Sequence, residues 1–124
     1  MPAMKGYLVS DSGTVIECTF VGECGDEALI ISSAVSNYIG QTANKFRWFV
    51  TIDAATHGAI DRLRDLFRKA RREWEDAINL SRAIKVPDHH LESVEQTRKE
   101  YYSAKHELES ATDHGPQIIR HRKS

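Results

Sequence analysis

Six basic side chains fall between positions 62 and 72: Arg62, Arg64, Arg68, Lys69, Arg71 and Arg72. Arg64, Arg68 and Arg72 are four residues apart, so on a helix their guanidinium groups form a row along one face. Such a row of forked donors can hold phosphates or carboxylates two bonds at a time. The competing reading is a solvated face in which Asp65 meets Lys69, Arg71 meets Glu75 and Arg72 meets Asp76, each pair contributing about 0.3 to 0.5 kcal/mol. Arg64 and Arg68 have no acid four residues further on, which makes them the members of the row expected to face a ligand or partner.

A second group, Arg98, Tyr101, Tyr102 and Lys105, brings two rings and two cations onto neighbouring helix faces. Rings stack on bases while cations neutralise phosphate, the combination that holds single-stranded nucleic acid or a free nucleotide. The alternative makes Tyr101 a core residue and leaves Tyr102 at the boundary with its hydroxyl wet. Arg64, Arg68, Arg98, Tyr101, Tyr102 and Lys105 are therefore the candidate ligand-binding residues, and a contact between subunits that set Arg68 against Tyr102 or Lys105 would complete an anion pocket.

Other chemistry finds little footing. His89 and His90 are consecutive and point about 100 degrees apart on a helix, poor geometry for one metal ion. His57, His106, His114 and His121 share no ligand spacing with Cys18 or Cys24, so no metal and no cofactor is expected. The six-residue spacing of the two cysteines is neither a redox CxxC nor half of a usual zinc site, and reduced thiols are expected, although a tight hairpin could bring the pair together. No GxSxG, HExxH, P-loop or GxGxxG string assigns catalytic roles, which weighs against an enzyme.

The elements that position these groups divide into a sheet and a helical hairpin. Ile60, Leu63, Phe67, Ala70, Trp74 and Ala77 recur at steps of three and four, and Leu91, Val94, Tyr101, Leu108 and Ala111 form a narrower second stripe from Asp88 to His114. Asp53 is placed to cap the first helix, which is expected to run to Ala83. A break at Ile84 to Pro87 turns the chain back, and His114-Gly115-Pro116 closes the second helix. Upstream, Tyr7 to Ser10 and Thr14 to Val21 flank Asp11-Ser12-Gly13 as a β-hairpin, with Ile16, Cys18 and Phe20 on one face. Asp26 to Ile39 reads as strand more readily than helix, Asn37 to Asn44 as a loop, and Phe46 to Ile52 as a strongly alternating strand. Phe46, Trp48 and Trp74 are expected in the core, the two tryptophans joining sheet to hairpin. The fold class is α+β, an antiparallel sheet at about 6–52 followed by an antiparallel helical hairpin at about 54–114. Residues 1–116 form one domain and 117–124 a basic, frayed tail.

Composition narrows the partners. The 124 residues carry 17 Lys plus Arg against 18 Asp plus Glu, so no global field draws the chain to nucleic acid or an anionic membrane, and binding of either must be local. No apolar stretch reaches the roughly 18 residues of a membrane helix, and the start lacks the apolar core of a signal peptide; a soluble, cytoplasmic protein is expected. Helices this long overhang a small sheet, so part of their stripe should seek another copy, as a dimer or higher oligomer. On that scaffold the leading expectation is a non-catalytic interaction protein that inhibits or bridges a macromolecular partner, a task suited to the accessory and inhibitor proteins of phages and mobile elements acting in a host cytoplasm. The second is an oligomeric binder that sequesters a nucleotide-like anion, as an anti-defence signal sponge would. The third, nucleic-acid binding by the basic helix, fits the near-zero net charge least well.

Overall fold

The computed structural model describes residues 4–24, 27–44, 46–83 and 88–121. Six strands and two long helices follow in the order β1 (Met4–Val9), β2 (Val15–Cys24), β3 (Glu27–Ser33), a 3₁₀ turn (Ser36–Tyr38), β4 (Thr42–Asn44), β5 (Trp48–Phe49), α1 (Ile52–Ala83), α2 (Asp88–His114) and β6 (Ile118–Ile119). This is the expected α+β arrangement of an antiparallel N-terminal sheet followed by two helices.

The first hairpin forms where Asp11-Ser12-Gly13 allows the chain to reverse. Gly13 has φ +80°, its N–H donates to the Ser10 carbonyl, and the Thr14 N–H donates to the Ser10 hydroxyl. β1 then pairs antiparallel with β2 in the register Tyr7 to Glu17 and Val9 to Val15. β3 continues on the far side of β2, and two irregularities in that pairing bend the strands. The strand order is β4-β3-β2-β1-β5, so β4 and β5 lie at opposite ends of the pairing although only residues 45–47 connect them. A connection that short requires the sheet to curl its ends together. The Val9 N–H donating to the Arg47 carbonyl at 2.7 Å and the Arg47 N–H donating to the Asn44 carbonyl at 2.8 Å hold them there.

Alternation sorts the side chains between two layers. Leu8, Ile16, Cys18, Phe20, Ala28, Ile30, Ala43 and Trp48 fill the inside of the curl. Phe20 reaches Trp48 across β1, with ring centroids 4.9 Å apart, because Gly6 lies beneath: a Cβ there would come within 2.6 Å of the Phe20 ring. On the outer face Val9 and Val15, with Tyr7, Phe49 and Ile118, meet Ala55 and Ala59 of α1. The small alanines let the helix axis approach the sheet closely.

Several local expectations are corrected. The Phe46 to Ile52 strand shrinks to Trp48–Phe49: Phe46 and Val50 are exposed, and Ile52 already begins α1. Apolar alternation there comes from a turn leading into a helix, with only Trp48 reaching the inner core. The helix cap is Thr51, whose Oγ1 accepts the Ala54 N–H at 3.2 Å, while Asp53 lies one residue inside, in the first turn. Residues 37–44 hold part of the 3₁₀ turn and β4 rather than a plain loop. The tail is not frayed at its start, since β6 pairs parallel with β2 at Val15 and Ile16, the stretch that β3 leaves uncovered after Ser33 meets Cys18. The stretch from Asp26 to Ile39 is strand as preferred, from Glu27 to Ser33; Asp26 itself, the break at 84–87 and the last three residues lie outside the described residues.

α2 ends where Gly115, at φ +87°, donates its N–H to the Ala111 carbonyl. The two helices span about 48 Å and 40 Å at a rise of about 1.5 Å per residue. No helix among the described residues is long and apolar enough to cross a membrane.

Candidate functional site

From Phe67 onward the aromatic contacts of α1 are to α2. Phe67 and Trp74 stand one above the other, seven residues apart, and Tyr101 fits between them with ring centroids 5.2 Å and 4.9 Å away. Trp74 therefore belongs to the helix pair, and Trp48 to the sheet, correcting the expectation that both join sheet to hairpin. Tyr101 is a half-buried seam residue, the structural alternative named above. Tyr102, one step around the helix, is 53% exposed, with its ring edge-on to Tyr101 at 5.2 Å and 6.1 Å from Trp74.

The helical period places the remaining candidates on one flank. Relative to the seam, Arg64, Arg68 and Arg71 of α1 lie one step clockwise of Leu63, Phe67 and Ala70, and Arg98, Tyr102 and Lys105 lie one step beyond Thr97, Tyr101 and Ala104. In an antiparallel pair these two sets border the same side of the arm. The opposite side carries a shallow groove of about 320 Å³ bordered by Leu66, Ala70, Glu73, Glu100, Ala104 and Glu107.

Exposed acids on the same helices balance most of the basic flank. Arg64 pairs with Asp61 at 3.2 Å, Arg68 with Asp65 at 3.8 Å, Arg71 with Glu75 at 3.1 Å, and Arg98 with Glu95. Asp65 thus meets Arg68 rather than Lys69, and Arg64 and Arg68 find their acids three residues back rather than four residues on. Each such exposed pair is worth about 0.5 kcal/mol or less and is readily exchanged for another anion. Lys105 has no ion pair among the described residues.

A second concavity was not legible in the sequence. About 520 Å³ opens between the first hairpin turn, the 45–47 connection and the start of α1, with Phe49, His57, Asp61, Arg62 and Asp65 on its walls. Asp11 organises it: its carboxylate takes Arg47 at 2.7 Å, and its carbonyl accepts the Arg62 Nε–H at 2.8 Å. Phe46 stands at its edge, 77% exposed, held out by its own N–H donating to Asn44 Oδ1 at 2.9 Å. The sequence signal was present in Phe46 but pointed inward, because alternation with Trp48 implied a shared strand face.

Cys18 is a free, buried thiol on the inner face, donating to Ser33 Oγ at 3.4 Å. Burial pushes it above its ordinary range, and the Ser33 hydroxyl only partly offsets this. A protonated, enclosed thiol is a poor nucleophile. Among the described residues no three His, Cys, Asp or Glu side chains converge as metal ligands. Comparison with protein-family models, with curated proteins and with solved structures gives no match.

Proposed function

We propose that this chain is a non-catalytic interaction protein that self-associates through the α1–α2 arm and so inhibits or bridges a macromolecular partner. The observation supporting this is the division of labour along α1. Ala55 and Ala59 pack on the sheet and Leu63 lies against Gly13, whereas Phe67 and Trp74 further along pack on Tyr101 of α2. A two-helix arm with a single seam leaves Phe67, Trp74, Tyr101 and Leu108 only half-buried and Leu80 exposed. Two paired helices are marginal on their own, and a further helical surface would complete the burial. Native mass spectrometry with sedimentation velocity tests the proposal: concentration-dependent oligomers support it, and a monomer up to high concentration overturns it.

A second reading, capture of a nucleotide-like anion, draws on the common flank of Arg64, Arg68, Arg98, Tyr102 and Lys105. Retained mass of nucleotide size in the gently purified protein, lost in the Arg64→Ala/Arg68→Ala variant, would favour it over the first.

A further inference from the structure

We infer that Tyr102 of one copy docks into the groove between α1 and α2 of a second copy, with Arg98 and Lys105 meeting the glutamates on the groove's rim. The inference rests on the self-association proposed above and names its surfaces.

The groove has an apolar floor of Leu66, Ala70 and Ala104. Glu73, Glu100 and Glu107 rim it against the single base Lys69, and Ser103 leaves room at its centre. None of the three glutamates has an ion pair among the described residues; Glu100 accepts only a side-chain amide hydrogen from Gln96 at 3.1 Å. The groove is therefore a shallow apolar trough with unneutralised negative charge along its edge.

The opposite flank supplies its complement. The half-exposed Tyr102 ring is braced from behind by Tyr101 and Trp74, so its orientation is set before any partner arrives. Arg98 and Lys105 stand on either side of it, four residues before and three after. Seven residues separate Arg98 from Lys105, and seven separate Glu100 from Glu107, so both pairs are spaced by about 10.5 Å along the helix. Two cations and two carboxylates at one spacing, with a ring to fill the trough between them, form a matched contact. Arg98 leaves an exposed intrahelical pair with Glu95 at little cost in making it.

Trough and ring lie on opposite flanks at the same height of the arm. The contact is consequently heterologous: each copy offers its ring to one neighbour and its trough to another, and assembly proceeds beyond the dimer as a ring or an open row.

Charge exchange in the full-length chain tests this. The trough variant is Glu100→Lys/Glu107→Lys and the ring variant is Arg98→Glu/Lys105→Glu, all at exposed positions, with far-UV circular dichroism to confirm the helices. Sedimentation velocity at low salt is expected to show wild-type species larger than a dimer, at least about a tenfold weakening in each variant alone, and recovered association in their equimolar mixture, where opposite charges face each other again. Tyr102→Ser, which leaves every charge in place, should weaken association as well. A wild type that associates while either charge variant matches it, or while the mixture stays dissociated, overturns this docking and leaves self-association standing. A monomeric wild type overturns both.

Discussion

Trp74 and Tyr101 face each other across the helix pair with ring centroids 4.9 Å apart and planes inclined at 33°. This tilted contact, continued through Phe67, is the principal aromatic join between α1 and α2 beyond the reach of the sheet. Because both rings are only half-buried, truncation should cost less than the about 3 to 5 kcal/mol of a fully enclosed ring. Trp74→Ala is expected to destabilise by about 2 to 3 kcal/mol, and the Trp74→Ala/Tyr101→Ala cycle in urea to show a coupling of about 0.5 to 1.5 kcal/mol. Strict additivity would mean that the rings do not share an interaction. Trp74→Phe is the control: the indole N–H is buried with no hydrogen-bond partner among the described residues, so removing it while keeping a ring should cost less than about 1 kcal/mol.

Phe46 and Trp48 lie two residues apart and should respond very differently. Trp48 is enclosed in the curl against Phe20, so Trp48→Ala is expected to cost about 3 to 5 kcal/mol. Phe46 projects into solvent, and Phe46→Ala should change stability by no more than about 0.5 kcal/mol. Thermal melts of the two variants side by side settle the contrast. Equal losses would restore the strand reading in which both rings share a core face.

The difference between those residues shows what could be read from the chain and what could not. Ile16, Cys18 and Phe20 were assigned correctly because alternation over a long paired strand reports one buried face. The helices were legible for the same reason, their three-and-four spacing persisting over many turns. Phe46 to Ile52 also alternates, but its pairing is set by where β1 ends and where Thr51 begins α1, and a local pattern carries neither. β6 is not legible in the sequence because two residues have no period; they are recruited by the place beside Val15 and Ile16 that β3 vacates. Among the candidate site residues, helical spacing placed Arg64, Arg68, Arg98, Tyr102 and Lys105 on their faces. Tyr101 was settled only by Phe67 and Trp74 across the seam.

Gly13 carries two constraints at once. Its φ of +80° disfavours any side chain, and a Cβ there would come within 2.6 Å of Leu63 Cγ, a buried α1 residue packed beneath the hairpin turn. Gly13→Ala is therefore expected to cost about 2 kcal/mol, more than the about 1 kcal/mol of backbone strain alone. Leu63→Ala carries its own cost as a buried truncation, but the double variant should lose less than the sum of the two single losses, because the shorter side chain opens space for the methyl group. Denaturant midpoints of the two single variants and the double variant measure this, and a double variant no better than additive would show that strain rather than the Leu63 contact dominates.

The buried thiol makes stability depend on pH in a defined direction. Burial raises the Cys18 pKa in the folded state, so the native protein holds its thiol proton at pH values where the unfolded chain has released it. The native state then binds more protons than the unfolded state, and unfolding free energy falls as pH increases. The contribution is complete below the ordinary thiol pKa of about 8.5 and is lost as pH rises from there through the higher folded value. Cys18→Ala should lower stability at pH 7 by removing a packed side chain, yet flatten the decline that sets in above about pH 8.5. Urea unfolding from pH 7 upward in a Cys24→Ser background isolates the effect of Cys18. Parallel slopes with and without Cys18 would show that its proton is not linked to folding, and that the alkaline loss arises elsewhere in the chain.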